Sequence, residues 1–289
     1  MTEPLNLADA ATDLATIGGW LERGHAALRP HSDSARLDAE LLLAHVIEQP
    51  RSYLRTHAHQ TLATTSIERY RALLARRRQG EPAAYLTGER EFWSLPLRVT
   101  PAVLVPRPET ELAVERCLAL HSEVPGMVAD LGTGSGAIAL ALASERCNWH
   151  LVATDRSEEA LRVARANAAR LHLGNVEFLQ GDWFEPLGER QFDIIVSNPP
   201  YVASSDPALK ALRFEPAIAL SAGADGLHAL RAIIPGALAH LVPGGWLVLE
   251  HGTAQGEDVA HALVAAGYAR VRCHADLAGH DRVTEAQRP

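Results

Sequence analysis

The feature that most constrains the fold is a regular alternation of short apolar segments and helical segments, which begins near residue 109. Apolar runs predict strands at 127–130, 150–154, 176–179, 192–196 and 246–250. Helices are predicted at 137–144, 157–172, 226–241 and 259–265, and a closing antiparallel pair at 268–273 and 282–287. This alternation favours an α/β fold with a doubly wound, mostly parallel sheet.

The first part of the chain has a different pattern. Apolar side chains recur at helical spacing over 37–46, and a second helix is predicted from about 65 to the arginine-rich end before Gly80. Five prolines and short β-like pieces at 97–99 and 103–105 then follow. We therefore expect a small N-terminal helical domain at 1–80, a β-hairpin connector at 81–108 and a larger α/β domain at 109–289.

Composition excludes several classes of protein. The net charge of −8 argues against a protein that mainly grips nucleic-acid phosphates, so no direct nucleic-acid partner is expected. The three cysteines, Cys117, Cys147 and Cys273, are too scattered for a disulfide framework or a zinc site, and no metal is expected. No signal peptide and no membrane-spanning run are evident, which predicts a cytoplasmic protein without a membrane partner.

Asn198-Pro199-Pro200-Tyr201, called here the NPPY segment, directly follows the predicted strand 192–196. Two consecutive prolines cannot continue a sheet, so the chain must leave it at Asn198 in a stiff conformation. A planar NH2 group could then donate to the Asn198 side-chain oxygen and the Pro199 carbonyl while packing on Tyr201. This segment predicts an enzyme that acts on an amide or amino nitrogen.

A second motif follows the strand at 127–130. Residues 130–136 read Asp-Leu-Gly-Thr-Gly-Ser-Gly, and glycines there let the backbone turn tightly and approach a ligand. Asp155 ends the next strand, where a carboxylate can accept protons from two ribose hydroxyls. Together these residues indicate a cofactor that contains adenosine.

Two cofactors fit that pattern. A dinucleotide site is permitted by Gly132, Gly134 and Ala137. S-adenosylmethionine also explains Asp182 and Trp183 after the third strand and the NPPY segment after the fourth, so we favour it. The predicted cofactor site comprises Asp130, Gly132, Thr133, Gly134, Ser135, Gly136, Asp155, Asp182, Trp183 and Asn198.

Through these residues the chain resembles the protein-(glutamine-N5) methyltransferases of peptide chain release factors, the HemK/PrmC family. The resemblance runs over nearly the whole length. Its most discriminating stretch is 105–111, Val-Pro-Arg-Pro-Glu-Thr-Glu, and further matches are 35–43, 82–88, 130–136, the NPPY segment, 215–227 and Asp276, Gly279 and Arg282.

The resemblance implies transfer of a methyl group from S-adenosylmethionine to the glutamine of the Gly-Gly-Gln loop in class I release factors. The helical domain would then help to hold the release factor, and the enzyme is expected to act as a monomer in translation termination. The expected catalytic residues are Asn198, Pro199, Pro200 and Tyr201, and these four with Arg107 and Glu109 are expected to bind the substrate.

Three alternatives remain open on the sequence. A methyltransferase acting on a base amine in DNA or RNA would use the NPPY segment equally well, although it should show a basic footprint. A nicotinamide-dependent oxidoreductase would explain 132–155 but leave the NPPY segment without a role. A non-catalytic binding protein could have kept the cofactor fold.

Overall fold

The computed structural model describes residues 15–120 and 126–289, and the chain divides between Gly88 and Glu89 into two compact units. Residues 81–88 therefore pack with the helical unit, and the hairpin that follows packs with the second unit. The division by role into 1–80, 81–108 and 109–289 stays a prediction. Within the described residues no helix is both long and apolar enough to cross a membrane.

The first unit is helical, as its apolar periodicity predicts. Its helices are α1 (Ile17–Leu28), α2 (Ala35–Ile47), α3 (Arg51–Thr56), α4 (Thr64–Arg78) and α5 (Ala83–Thr87). The Thr16 side chain caps α1 by accepting from the Gly19 amide at 3.1 Å. The buried Tyr70 hydroxyl donates to the Ala39 carbonyl at 3.1 Å, so α4 is tied to α2 through the core.

The second unit opens with a hairpin of two strands, β1 (Glu89–Phe92) and β2 (Leu95–Arg98). The sequence predicts β-like pieces at 97–99 and 103–105, and the prediction for 103–105 is wrong. Residues 103–105 form no strand, because the Val105 amide donates to the Glu215 carboxylate at 3.1 Å instead of to a neighbouring strand.

Seven strands of the described residues form one sheet in the order β5-β4-β3-β6-β7-β9-β8. Their bounds are β3 (Met127–Leu131), β4 (His150–Asp155), β5 (Val176–Gln180), β6 (Phe192–Ser197), β7 (Leu241–Glu250), β8 (Ala269–Ala275) and β9 (Asp281–Gln287). The first five run parallel, whereas β9 is antiparallel to both neighbours. The predicted sheet and its closing antiparallel pair are confirmed, although β7 begins at Leu241 instead of 246.

Helices cover the sheet on both faces. They are α6 (Glu111–Leu120), α7 (Ala137–Glu145), α8 (Glu158–Leu171), α10 (His228–His240) and α11 (Gly256–Ala265). A further short helix, α9 (Ala208–Ala211), follows β6 and buries none of its residues. Because the central strands are buried on both faces, they are continuous apolar runs, and side chains of successive residues enter two separate cores. Val128 thus packs in one core and Ala129 in the other.

The chain reverses its direction of winding between β3 and β6. From β3 the strands proceed outward through β4 to β5, and the chain then returns to place β6 on the other side of β3. At such a switch point the loops after the two central strands part and leave a crevice beyond their carboxyl ends, where ligands bind. The segment after β3 is the glycine-rich turn, and the segment after β6 is the NPPY segment.

Candidate active site

A cavity lies at this crevice, beyond the carboxyl ends of β3, β4 and β6. Ten of the predicted site residues line it: Asp130, Gly132, Thr133, Gly134, Ser135, Asp155, Asp182, Trp183, Asn198 and Pro200. Five others, all within the described part of the chain, do not line it: Arg107, Glu109, Gly136, Pro199 and Tyr201. The structure therefore brings all the predicted cofactor residues except Gly136, together with Pro200 of the NPPY segment, into one cavity.

The glycine-rich turn is shaped by its own backbone. The amides of Gly132 and Thr133 both donate to the Thr154 carbonyl at 2.9 Å, which fixes the turn to the end of β4. Gly132 has a φ of 74°, and a Cβ built on it would lie 3.3 Å from the Trp183 ring. A side chain at this position would be strained and would narrow the cavity where the ring faces the turn.

Asp130 is the most buried acidic group of the cavity, with 1% of its surface exposed. Its Oδ2 accepts from the Thr133 hydroxyl at 2.6 Å and from the Ala139 amide at 3.2 Å. Its Oδ1 has no hydrogen-bond partner among the described residues. Burial raises the pKa of Asp130 to about 7, against the lowering effect of the two hydrogen bonds. One oxygen of this cavity-lining residue is thus left without a hydrogen-bond partner in the described part of the chain.

Asp155 ends β4 on the opposite side of the turn. Its Oδ2 accepts from the Gly134 amide at 2.9 Å, and its Oδ1 accepts from the Ser157 amide at 2.8 Å. Burial raises the pKa of Asp155, while both amide bonds oppose that shift. Each carboxylate oxygen keeps a lone pair after these bonds, so the side chain is held rigidly and can still accept two donors.

Trp183 has a φ of 47°, in the left-handed region that bulky residues rarely adopt. Its carbonyl accepts from the Thr154 hydroxyl at 3.2 Å, which anchors the residue to the end of β4. The strained backbone places the ring against Gly132, and such strain is typical of ligand sites. Asp182, one residue earlier, is exposed at the rim of the cavity.

The NPPY segment leaves β6 as the prolines predict. The Ser197 hydroxyl donates to the Leu131 carbonyl at 2.7 Å and ties the last residue of β6 to β3. The Asn198 side-chain NH2 donates to the Thr110 hydroxyl at 3.1 Å. The Tyr201 hydroxyl lies 3.4 Å from the Glu250 carboxylate, and burial raises its pKa to about 12.

The backbone at Gly226 closely approaches the backbone at Tyr201, the last residue of the NPPY segment. A Cβ built on Gly226, where φ is 76°, would lie 2.4 Å from the Tyr201 carbonyl oxygen. The Gln255 side-chain amide donates to the carbonyls of both residues, at 3.2 and 3.3 Å. Only glycine allows this approach, which holds the end of the NPPY segment in place.

Comparison with known proteins gives two family models and close relatives. The PrmC N-terminal domain model matches residues 19–88, and the methyltransferase small domain model matches 111–214. The release factor glutamine methyltransferase of Pseudomonas aeruginosa is 51% identical over 89% of this chain and 94% of that relative. The Escherichia coli protein with the same description is 47% identical, over 92% and 96%.

The chain belongs to the release factor glutamine methyltransferase family. Among solved structures, a 16S rRNA N2 methyltransferase from Thermus thermophilus, in complex with AdoMet and guanosine, superposes with a TM-score of 0.54. It is 20% identical and covers 70% of this chain and 50% of its own, so the likeness shows the shared fold. The predicted family, the methyltransferase class of enzyme and the fold are confirmed.

The two predicted substrate residues outside the NPPY segment lie elsewhere. Arg107 donates to the Glu215 carboxylate at 2.6 Å, and the same carboxylate accepts the Val105 amide. The Glu215 side chain is 2% exposed, so the ion pair fixes the segment before α6 to the loop before α10. Glu109 is exposed. Their role as substrate contacts stays a prediction.

Sequence reasoning gave no role to several polar residues that support the cavity. Asn167 is fully buried on α8, and its side chain donates to the Ser135 carbonyl at 2.9 Å and to the Arg98 carbonyl at 3.0 Å. Glu250 ends β7 and is 1% exposed. A carboxylate at the end of an apolar strand was the signal for Glu250, whereas no local pattern marks Asn167. Within residues 15–120 and 126–289 no cluster of potential metal ligands occurs.

Proposed function

We propose that this chain transfers a methyl group from S-adenosylmethionine to the side-chain nitrogen of the glutamine in the Gly-Gly-Gln loop of class I release factors. Family membership supports the reaction class and the partner. One observation carries the proposal most directly. Asn198, whose NH2 group donates to Thr110, lines the same cavity as the buried Asp130 and the half-buried Asp155.

The residues of the cavity fit S-adenosylmethionine. The unpartnered Oδ1 of Asp130 suits a cationic amino group, and a buried carboxylate gains from such a donor because it is otherwise desolvated. Asp155 can accept both ribose hydroxyls with its remaining lone pairs. Trp183 offers a flat ring beside the glycine turn. The cofactor would supply an electrophilic methyl group on a sulfonium.

The substrate nitrogen is a poor nucleophile because its lone pair is conjugated with the adjacent carbonyl. Asn198 Oδ1 and the Pro199 carbonyl would each accept one N–H, which aligns the nitrogen and stabilises the positive charge that develops on it. The nitrogen would form the new C–N bond as the bond between the methyl carbon and sulfur breaks, with S-adenosylhomocysteine as the leaving group. It would then lose one proton to water, since that proton becomes acidic only after transfer. The stiff Pro-Pro backbone limits reorganisation of the acceptors.

Tyr201 was expected to pack against the substrate amide. Its hydroxyl is directed at Glu250, and it does not line the cavity. We therefore assign Tyr201 first to holding the end of the NPPY segment, while its contact with the substrate stays a prediction. The helical unit is proposed to dock the release factor, and the monomeric state and the cytoplasmic location also stay predictions.

The proposal is tested with labelled S-adenosylmethionine and three acceptors side by side. These are an intact class I release factor, its Gly-Gly-Gln→Gly-Gly-Ala variant and total RNA. Label on the intact factor alone supports the proposal and identifies the acceptor residue. Label on RNA alone would favour the base-amine alternative, and label on the variant would mean that another residue is the acceptor.

A further inference from the structure

Residues 99–106, called here the wall segment, form no helix or strand and yet line the candidate active-site cavity. Its cavity-lining residues are Ala102, Val103, Leu104 and Pro106. The side chains of Val99, Val103 and Val105 are buried. Burial of apolar side chains holds such a segment down but does not fix its position along the surface, because the hydrophobic effect is not directional. Polar anchors are therefore needed to set where this wall of the cavity lies.

The first anchor lies at the start of the wall segment and is Asn167 on α8. Its Oδ1 accepts the Arg98 amide at 2.8 Å, and its NH2 group donates to the Arg98 carbonyl at 3.0 Å. The same NH2 group donates to the Ser135 carbonyl of the glycine-rich turn at 2.9 Å. Asn167 has none of its surface exposed, so water cannot easily replace these partners. One side-chain amide thus joins the residue before the wall segment to the glycine-rich turn.

The second anchor lies at the end of the wall segment and is Glu215. Its Oε2 accepts the Val105 amide at 3.1 Å, its Oε1 accepts the Arg107 guanidinium at 2.6 Å, and its side chain is 2% exposed. Glu215 directly precedes a second group of cavity-lining residues, which are Pro216, Ile218, Ala219, Ser221 and Ala222. One carboxylate thus joins two walls of the cavity that lie outside the seven-stranded sheet.

A wall that is held at both ends affects how long a ligand stays in the cavity. It offers its contacts without first having to be ordered, which lowers the cost of binding. If one anchor is lost, the wall also populates displaced states, and the apparent affinity falls with the fraction of molecules in the competent state. Such a loss is expressed mainly in the rate at which the ligand leaves. The two anchors therefore predict slow departure of the ligand that fills the cavity.

We propose that Asn167 and Glu215 are positioning residues that hold the wall segment against the bound cofactor and so slow its departure, and that Arg107 takes part by holding Glu215. This inference rests on the proposed function, since it takes the ligand to be S-adenosylmethionine or its product S-adenosylhomocysteine. It gives Arg107 a role that requires no release factor, whereas the predicted contact with the substrate does require one.

The first test compares two arginines of the same unit that each pair with a buried carboxylate. Arg107→Met removes the partner of Glu215. Arg116→Met is the matched control, because Arg116 donates to the Glu285 carboxylate at 2.9 Å, the Glu285 side chain is 1% exposed, and neither residue lines the cavity. For each full-length variant, the Kd and the dissociation rate of S-adenosylhomocysteine are measured without release factor, together with the melting temperature.

We expect Arg107→Met to raise both the Kd and the dissociation rate by about 10-fold, at the lower end of what one hydrogen bond to a charged group contributes to an equilibrium. Arg107→Lys should recover part of the loss because it keeps the charge. Arg116→Met should lower the melting temperature and leave both ligand quantities unchanged. A wild-type Kd in Arg107→Met, or an equal rise in Arg116→Met, would overturn the inference.

Asn167→Ala tests the anchor at the other end of the wall segment. Asn175→Ala is its matched control, because the Asn175 NH2 group donates to the carbonyls of Arg146 and Trp149 at 3.2 Å and none of these three residues lines the cavity. Asn167→Ala should raise the Kd of S-adenosylhomocysteine by about 5-fold, since hydrogen bonds between uncharged groups contribute less. The control should leave this Kd unchanged, and equal effects in the two variants would contradict the proposed anchor.

Amide hydrogen exchange over residues 99–106 gives a readout that needs no ligand, and Glu215→Gln serves if Arg107→Met does not fold. The glutamine can still accept the Val105 amide but forms no ion pair. In the free enzyme, exchange over the wall segment should be faster in this variant than in the wild type, and S-adenosylhomocysteine should slow it in both. Unchanged exchange in the variant would overturn the inference. A wild-type enzyme that does not bind S-adenosylhomocysteine would instead refute the cofactor of the proposed function, on which the inference rests.

Discussion

Two buried carboxyl groups, those of Asp130 and Glu250, lie at the same edge of the sheet but differ in what they contact. Asp130 lies in β3, next to its last residue, and Glu250 ends β7. Each is 1% exposed, and burial raises the pKa of each to about 7. Each also has one oxygen without a hydrogen-bond partner in the described chain. Only Asp130 lines the cavity.

The two carboxyl groups differ in whether a ligand in the cavity can contact them. Asp130 lines the space that a cofactor would fill, so a ligand that donates to its spare oxygen would offset the cost of burying that oxygen. Glu250 does not line the cavity, and its one side-chain hydrogen bond among the described residues is to the Tyr201 hydroxyl at 3.4 Å. The proposed cofactor half of the site, around Asp130 and Asp155, is held largely by backbone amides. The proposed substrate half, the NPPY segment, is held by side-chain hydrogen bonds to Thr110, Glu250 and Gln255.

The largest expected effect belongs to the substrate half. Asn198→Ala removes one of the two proposed acceptors, and we expect kcat to fall by about 10²–10³-fold, as for loss of one polar group that stabilises a transition state. Binding of S-adenosylmethionine, followed by calorimetry, should change little. A near wild-type turnover with intact cofactor binding would exclude Asn198 from the mechanism. It would also contradict the assignment of the NPPY segment to the substrate half of the site.

A substitution in the proposed cofactor half should instead weaken cofactor binding and leave kcat largely unchanged. Asp155→Ala removes a carboxylate that is proposed to accept the ribose hydroxyls, and a hydrogen bond to a charged group contributes about 1.5–3 kcal/mol, or about 10- to 100-fold in Kd. At saturating cofactor kcat should be largely retained. Glu159→Gln, an exposed carboxylate on α8, is the control and should leave the Kd unchanged. An unchanged Kd in Asp155→Ala would exclude this role.

The sequence predicted the cofactor half more fully than the substrate half. Asp130, the glycine turn and Asp155 are contiguous with strand ends, so the rule for parallel sheets locates them without any knowledge of packing. The NPPY segment was found for the same reason. Thr110, Glu215 and Asn167 act across separations of 88, 108 and 32 residues, and no local pattern encodes such contacts.

The same lack of a local signal for long-range contacts explains why the predicted β-like piece at 103–105 is wrong. Residues 103–105, Val-Leu-Val, form a short apolar run like that of a strand, yet the Val105 amide donates to the distant Glu215 carboxylate. Tertiary contacts often override such local β preference. Arg107 was expected to bind the substrate, and its guanidinium donates to Glu215, a contact that no local pattern encodes. Its role as a substrate contact stays a prediction.

A glycine substitution tests the backbone character of the cofactor half. Gly132→Ala puts a Cβ on a residue with a φ of 74° and brings it to 3.3 Å from the Trp183 ring. We expect a loss of stability of about 1–2 kcal/mol from the left-handed backbone, together with weaker cofactor binding. Gly174→Ala, which meets no atom within 4 Å and has no positive φ, is the matched control. Equal melting temperatures for the two variants would contradict the strain argument.

The last comparison is the pH dependence of stability that each of the two carboxyl groups contributes. The pKa of Asp130 is raised on folding from 3.8 to about 7, so folding favours its protonated form. The stability from this group is fully present below pH 3.8 and is lost as the pH rises through 7. Asp130→Asn lacks this loss, so its melting temperature should gain on that of the wild type between pH 5 and pH 8.

Glu250→Gln should show the same trend, since the pKa of Glu250 is also raised to about 7. S-adenosylhomocysteine should separate the two variants. Its amino group would offer Asp130 a donor and cancel the advantage of Asp130→Asn at pH 8, whereas the advantage of Glu250→Gln should persist because Glu250 does not line the cavity. If the ligand affects both variants equally, the division between a ligand-facing carboxyl group and a side-chain-facing one is wrong.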